Sequence, residues 1–229
     1  AAVLAALQQV QESQAAGALT LGIFSCLPLA RLVSGSLPAE LRDAVTLLLP
    51  DFARDQLAAL GPALAALVRE GESVDGWLDA VFAWTGGHPQ LTLHLCQQLV
   101  ARAPAPPGAG AVGGELELSE RVDRLVHTLF LAADEPLPAD PCLREMAQAY
   151  ARSPQAAALL ALYRRLLSGQ PVTPDPLDEL QRELRLCGLS TQVVDAAGTP
   201  RLRPRCRLLA ARLGEDWARE QEVRLGGRV

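Results

Sequence analysis

The 229-residue chain contains no lysine and no asparagine, and all 21 of its basic residues are arginine. Within this stretch there is therefore no P-loop lysine, no Schiff-base lysine and no lysine general base. Aromatic residues make up 4%, so any core must be built from Leu, Ala and Val. The five cysteines, Cys26, Cys96, Cys142, Cys187 and Cys206, form no CxxC and are odd in number. That pattern predicts reduced, buried thiols and not a disulfide framework. The three histidines are His88, His94 and His127, and neither His88 nor His94 is spaced from Cys96 as in a zinc motif. No metal site is expected. No apolar run approaches the ~20 residues that span a bilayer. The first residues include neither Met nor a basic region ahead of an apolar block. A net charge of −5 gives no reason to expect nucleic-acid or anionic-membrane affinity. A piece of a soluble cytoplasmic protein, without membrane association, is the expectation.

What is present is an ordinary globular balance, 49% hydrophobic and 21% charged, of a size for one or two domains. Leu4, Leu7 and Val10 recur at helical spacing over Ala1 to Gln14. Leu19 to Cys26 is a short apolar run of strand length before Pro28. Arg31 to Ser36 reads as a loop or short helix, and Leu37 to Leu49 as a mixed segment that could hold a short helix and a strand. From Asp51, a candidate N-cap, Phe52, Leu57, Leu60, Leu64, Leu67 and Val68 give a helical pattern broken at Pro62. Helices are predicted over Val74 to Thr85 and, after a Gly86-Gly87-His88-Pro89 turn, over Gln90 to Ala103.

Residues 104 to 114 (PAPPGAGAVGG) read as a flexible linker. Beyond it, helices are predicted from Ser119 to Leu131, Cys142 to Arg152, Ser153-Pro154 to Leu167, and Leu177 to Cys187, the last opened by Asp175-Pro176 and ended by Gly188. Two strand-like segments follow, Ser190 to Val194 and Arg201 to Arg205, joined by a turn at Asp195 to Pro200. One helix over Leu208 to Val223 closes the chain with Trp217 inward. Two helices, a glycine stop and a hairpin is the order of a winged-helix domain; an unrelated small α+β unit is the alternative.

Two groups of residues are candidates for function. Alternation puts Arg201, Arg203, Arg205 and Arg207 on one strand face, with Arg212 beyond. This face suits a phosphate or partner patch, or a solvated face paired to Glu215, Asp216 and Glu220. The preceding helix mixes Asp178, Glu179 and Glu183 with Arg182 and Arg185, a poor balance for reading DNA. His94 reads as a packing residue and His127 as an interfacial core residue beside Leu125 and Leu129. Acids such as Asp140, Asp175 and Asp178 stand where helix dipoles account for them.

The second group carries a resemblance. Asp51-Phe52-Ala-Arg-Asp-Gln-Leu57, then Trp84-Thr85-Gly86-Gly87-His88-Pro89 with Cys96-Gln97-Gln98-Leu99, resembles the lid region of bacterial AAA-like, STAND-type NTPases, with their DFTxxE and WTGGHPYLTQ patterns. Arg185-Leu-Cys-Gly188-Leu189, the hairpin, Arg203-Pro-Arg-Cys-Arg207 and Trp217 resemble that family's winged-helix end. Leu19 to Cys26 resembles its sensor strand, with Ser25 at the sensor position. The likeness runs from about residue 19 to 220. GxxxxGK(S/T) is absent, as are an upstream acidic strand end and the family's FNIG stretch, and Cys206 and Leu208 replace an asparagine and a tyrosine.

The resemblance implies a mostly α (α+β) chain. Residues 1–50 would be the remnant of an α/β NTPase core, 51–103 a helical lid, 104–118 a linker and 119–224 a winged helix. It places Gly86, Gly87, His88, Pro89 and Ser25 near a nucleotide. Glycines admit close approach, the helix N-terminus favours an anion, Pro89 offers a flat surface to a purine, and His88 could donate a hydrogen bond and change charge near neutral pH. A glycine C-cap followed by a proline-started helix needs no ligand and stays open beside it. The implied function is a lid and winged-helix module of a signalling ATPase, switching with nucleotide and self-associating. ATP or ADP with Mg²⁺ belongs to the full-length parent, and no catalysis is expected of this chain alone. Its partner would be the missing P-loop half or a neighbouring subunit, with a homo-oligomer possible. A winged-helix transcriptional regulator and a stand-alone degenerate adaptor are the alternatives.

Overall fold

The computed structural model describes residues 50–102, 117–132 and 140–226. The helix at Ala1 to Gln14, the strand at Leu19 to Cys26 with Ser25, the segments up to Leu49, the linker after Ala103 and the loop from Asp134 lie outside the described residues. By contacts the chain divides into Ala1–Leu48 and Leu49–Val229, and the described residues all belong to the second unit. They are mostly helical with one two-stranded sheet.

The first helical segment is irregular. A 3₁₀ stretch at Asp55–Leu60 runs into a single α turn, α1 (Gly61–Leu64), and back to 3₁₀ at Ala65–Leu67. Pro62 does not break it; it stands in the first turn of α1, where a missing N–H costs nothing. Asp51 does not cap it either, since its carboxylate is engaged far along the chain by Arg205. Helix α2 (Val74–Thr85) starts where Ser73 accepts the Gly76 N–H and ends at Gly86 in the left-handed region, φ 58°. Helix α3 (Pro89–Ala101) follows at once. Trp77, Leu78 and Val81 of α2 and Leu91, Leu95 and Leu99 of α3 are buried, as their spacing predicts.

Helix α4 (Leu118–Val126) continues as a π turn over His127–Leu131, with Phe130 buried. His127 is exposed, not interfacial. Helices α5 (Pro141–Ala151) and α6 (Ala156–Leu167) follow, α5 capped by Asp140 through the Leu143 N–H. Helix α7 spans Glu179–Leu186. It begins two residues later than predicted because the Asp178 carboxylate, not Asp175-Pro176, takes the Leu180 and Gln181 N–H groups at 2.9 and 3.2 Å. Leu177 is left 88% exposed.

Strands β1 (Ser190–Val194) and β2 (Pro200–Pro204) pair antiparallel, Gln192 opposite Leu202. The Asp195 carboxylate accepts the Ala197 and Thr199 N–H groups in the turn. The Leu202 N–H also reaches the carbonyl of buried Val172, tying β2 to the segment between α6 and α7. The predicted last helix is two, α8 (Arg207–Arg212) and α9 (Glu215–Gly226). The break is at Gly214, where a Cβ would stand 2.6 Å from the Ala210 carbonyl oxygen. Helix α2 packs on α4 and α8, and α6 on α5, α7, α9 and β2, so one core runs through the unit.

Replacing Asp178 with alanine should cost about 1 kcal/mol. Asp178→Ser should recover most of it, measured as urea midpoints, and equal losses would show that the cap is not what sets the start of α7.

Candidate functional site

The Gly86–Pro89 corner is where three distant stretches of backbone meet. Gly86 and Gly87 have φ 58° and 80°. A Cβ on Gly87 would lie 2.0 Å from the Phe52 carbonyl oxygen, and one on Gly86 would lie 3.2 Å from the Arg205 carbonyl oxygen and the Cys206 Cβ. The Phe52 N–H donates to the Gly87 carbonyl at 2.8 Å. The two glycines do admit close approach, but the approaching groups belong to this chain. Beside them Asp51 accepts from Arg205 along one edge of the guanidinium, Nε at 3.1 Å from both oxygens and Nη2 at 2.6 Å. Both side chains are about one-fifth exposed, at 17% and 20%, so this pair is better shielded from salt than a surface bridge.

Trp84, two residues earlier, is held on both its edge and its face. Its indole N–H donates to Asp123 of α4 at 2.5 Å, and the Arg207 guanidinium stacks on the ring with its carbon 3.8 Å from the centroid. Thr85 and Thr92, fully buried, join α2 to α3: Thr92 donates its hydroxyl to Thr85 Oγ1 at 2.8 Å, and Thr85 donates to the Val81 carbonyl. His94 of α3 is half-buried, its Nδ1 2.8 Å from the buried Asp140 carboxylate, its ring edge-on to Phe130. Asp140 thus caps α5 and ties it to α3. Sequence reasoning had no signal for these partners, since acids at helix starts occur without any.

His88 is 6% exposed and caps α3, its Nδ1 accepting the Leu91 N–H at 3.4 Å. Burial, and then the Arg205 cation, lower its pKa from 6.5 to about 4. It is neutral at pH 7 and does not change charge near neutrality as the resemblance suggested. Pro89 remains half-buried. The predicted arginine face is not formed. Arg201 and Arg203 lie on β2, with Arg201 paired to Asp195 at 2.7 Å and Arg203 exposed. Strand geometry ends at Pro204, so Arg205 turns to Asp51 and Arg207 to Trp84. Glu215, Asp216 and Glu220 pair instead with Arg164, Arg219 and Arg224. The four cysteines described are free and buried, and desolvation lifts the thiols of Cys96 and Cys206 to about 11 and of Cys142 to about 12. Among the described residues no cluster of three or more His, Cys, Asp or Glu could hold a metal, and no helix is long and apolar enough to cross a membrane.

No family model, curated protein or solved structure matches this chain.

Gly87→Ala should lose about 3 kcal/mol or more, from the positive φ and the Phe52 clash together. Gly71→Ala, at φ 81° with nothing within 4 Å, should lose only about 1 kcal/mol; equal losses in chemical denaturation would mean the close approach carries no energy. For His88, the unfolded chain binds a proton near pH 6.5 and the folded chain near 4, so stability is whole above 6.5 and falls as pH drops to 4. The span corresponds to roughly 3 kcal/mol. His88→Asn, which keeps a capping side chain, should flatten that part of the stability–pH curve; an unchanged slope would place the histidine in water.

Proposed function

We propose that this chain is the regulatory part of a STAND-type, AAA-like NTPase: a helical lid over 51–103 and a winged helix over 119–224, joined so that nucleotide state elsewhere in the protein is converted into self-association. The observation that carries this reading is the joint itself. The three blocks that resemble the family, Asp51-Phe52, Trp84 to Pro89 and Arg205 to Arg207, meet at one place though Asp51 and Arg205 are 154 residues apart. The joint is a device for coupling: moving the hairpin end away from the lid breaks the Asp51–Arg205 pair, uncovers Gly86 and unstacks Trp84 in one event. A ligand can shift such an equilibrium only by its difference in affinity for the two arrangements. Phosphate binding and Mg²⁺ chemistry reside in a P-loop half, and this chain alone hydrolyses nothing. The α/β remnant at 1–50, with Ser25 at its strand end, belongs to the same proposal. The arginines that a DNA reader would use on phosphates are largely engaged, which favours the switch over the transcriptional reading.

The test is size-exclusion chromatography of the full-length protein with ADP and with ATP. Wild type should be smaller with ADP and self-associated with ATP, and Arg205→Met, which loosens the joint and keeps the aliphatic stem, should self-associate with either nucleotide. Elution that ignores both nucleotide and the substitution would refute the proposal.

A further inference from the structure

The two edges of the hairpin are not alike. The Asp195 N–H donates to the Thr199 carbonyl and the Arg205 N–H to the Leu189 carbonyl. These two bonds bracket the ladder, so Thr191 and Val193 turn their backbone polar groups toward β2, and the residues between them turn theirs outward. On β2 the outward positions are Pro200, Leu202 and Pro204. The Leu202 N–H goes to the Val172 carbonyl, and the two prolines have no N–H. The outer edge of β2 therefore offers no free donor. On β1 the outward positions are Ser190, Gln192 and Val194. Ser190 is buried at 3% exposed, whereas Gln192 is exposed and Val194 is 66% exposed. The backbone N–H and C=O groups of Gln192 and Val194 have no hydrogen-bond partner among the described residues.

An open strand edge is a template for another strand, and folded chains blunt such edges with proline, charge or a covering segment. β2 has prolines and the Val172 bond; β1, with the sequence STQVV, carries neither proline nor charge. A second copy of the same strand fits it. Set antiparallel with Val193 on a two-fold axis, Gln192 of each copy stands opposite Val194 of the other, and each such pair exchanges two N–H···O bonds. That register uses the two exposed residues and leaves buried Ser190 out of the ladder. It sets Val193 against its own copy, a β-branched pair. It also brings no like charges together. Asp195, which follows the strand, and Arg201, across from Val193, are paired with each other at 2.7 Å. The exposed Arg203 is on the far strand, at least about 14 Å from its copy and beyond the screening length. We propose that two copies of this chain associate through β1, joining their hairpins into one antiparallel sheet of four strands. A single strand pair is a small interface, so the dimer is weak, with a Kd of about 0.1 mM. The proposal rests on the hairpin and not on nucleotide, so it stands or falls apart from the switch reading.

Sedimentation equilibrium of the 229-residue chain without nucleotide should show a monomer at about 5 µM and mostly dimer toward about 0.5 mM. Val194→Pro removes one outward N–H per copy and no bond of the hairpin, and should weaken the dimer at least about tenfold. Single cysteines at positions 191 to 194, oxidised with diamide against a wild-type blank, map the register. Val193→Cys should cross-link fastest, because facing residues of a non-bonded antiparallel pair lie about 4.5 Å apart, within disulfide reach. If the proline variant unfolds, the cysteine series decides by itself. A chain that stays monomeric to about 0.5 mM, a dimer indifferent to Val194→Pro, or cross-linking no faster at 193 than at 192 overturns the pairing.

Discussion

The backbone of Phe52 lies against Gly87 more closely than any side-chain-bearing residue would permit, and the corner between α2 and α3 is arranged around that contact. The Phe52 N–H bonds to the Gly87 carbonyl while the Phe52 carbonyl oxygen occupies the space of the missing Cβ. Such an approach demands a glycine at 87, while Gly86, also in the left-handed region, ends α2, and the pair aims the chain into α3. It also brings Asp51 beside Arg205 and lays Cys206 on Gly86. Because the glycines carry no side chain to pack, the surrounding groups hold the place together: one edge-on ion pair, one stacked arginine and two buried threonines.

Burial decides the chemistry of this corner. A histidine in water would be partly charged near neutral pH and open to a ligand. Here desolvation and the neighbouring Arg205 keep it neutral, and its ring nitrogen is engaged with the Leu91 N–H. The corner is therefore a joint in the arrangement described, and a ligand that acted on it would have to do so by favouring another arrangement. In the proposed switch these contacts would share one closure and be lost together.

Most polar side chains of the described core are met, while the buried Ser190 hydroxyl and one aromatic cluster, Trp217 with Tyr150 and Tyr163, are not. Trp77, Trp84, Thr85, Thr92, Asp140 and Gln181 are buried and each has a hydrogen-bond partner. The cluster around Trp217 is different, its three rings packed together with their polar atoms unmet. Both patterns sit in the same continuous core, so the contrast belongs to local geometry and not to general looseness.

Where the sequence was legible, the signal was local. The mostly helical character, α2, α3, α6 and β1 followed from apolar periodicity and from Gly86, Pro89 and Ser153-Pro154, because a helical or strand face is set by residues two to four positions apart. The Trp84 to Pro89 block is distinctive in one dimension, as a run of residues. Its role is not, because glycines that admit a ligand and glycines that admit a neighbouring backbone are spelled the same way. Asp51, which reads as a cap, belongs to an arginine 154 residues away. The four alternating arginines part ways where the strand ends at Pro204, and the last helix breaks at a glycine wedged under a carbonyl. Those outcomes depend on which surfaces meet across the chain, and only the tertiary structure decides that, since burial and charge pairing are properties of neighbours in space.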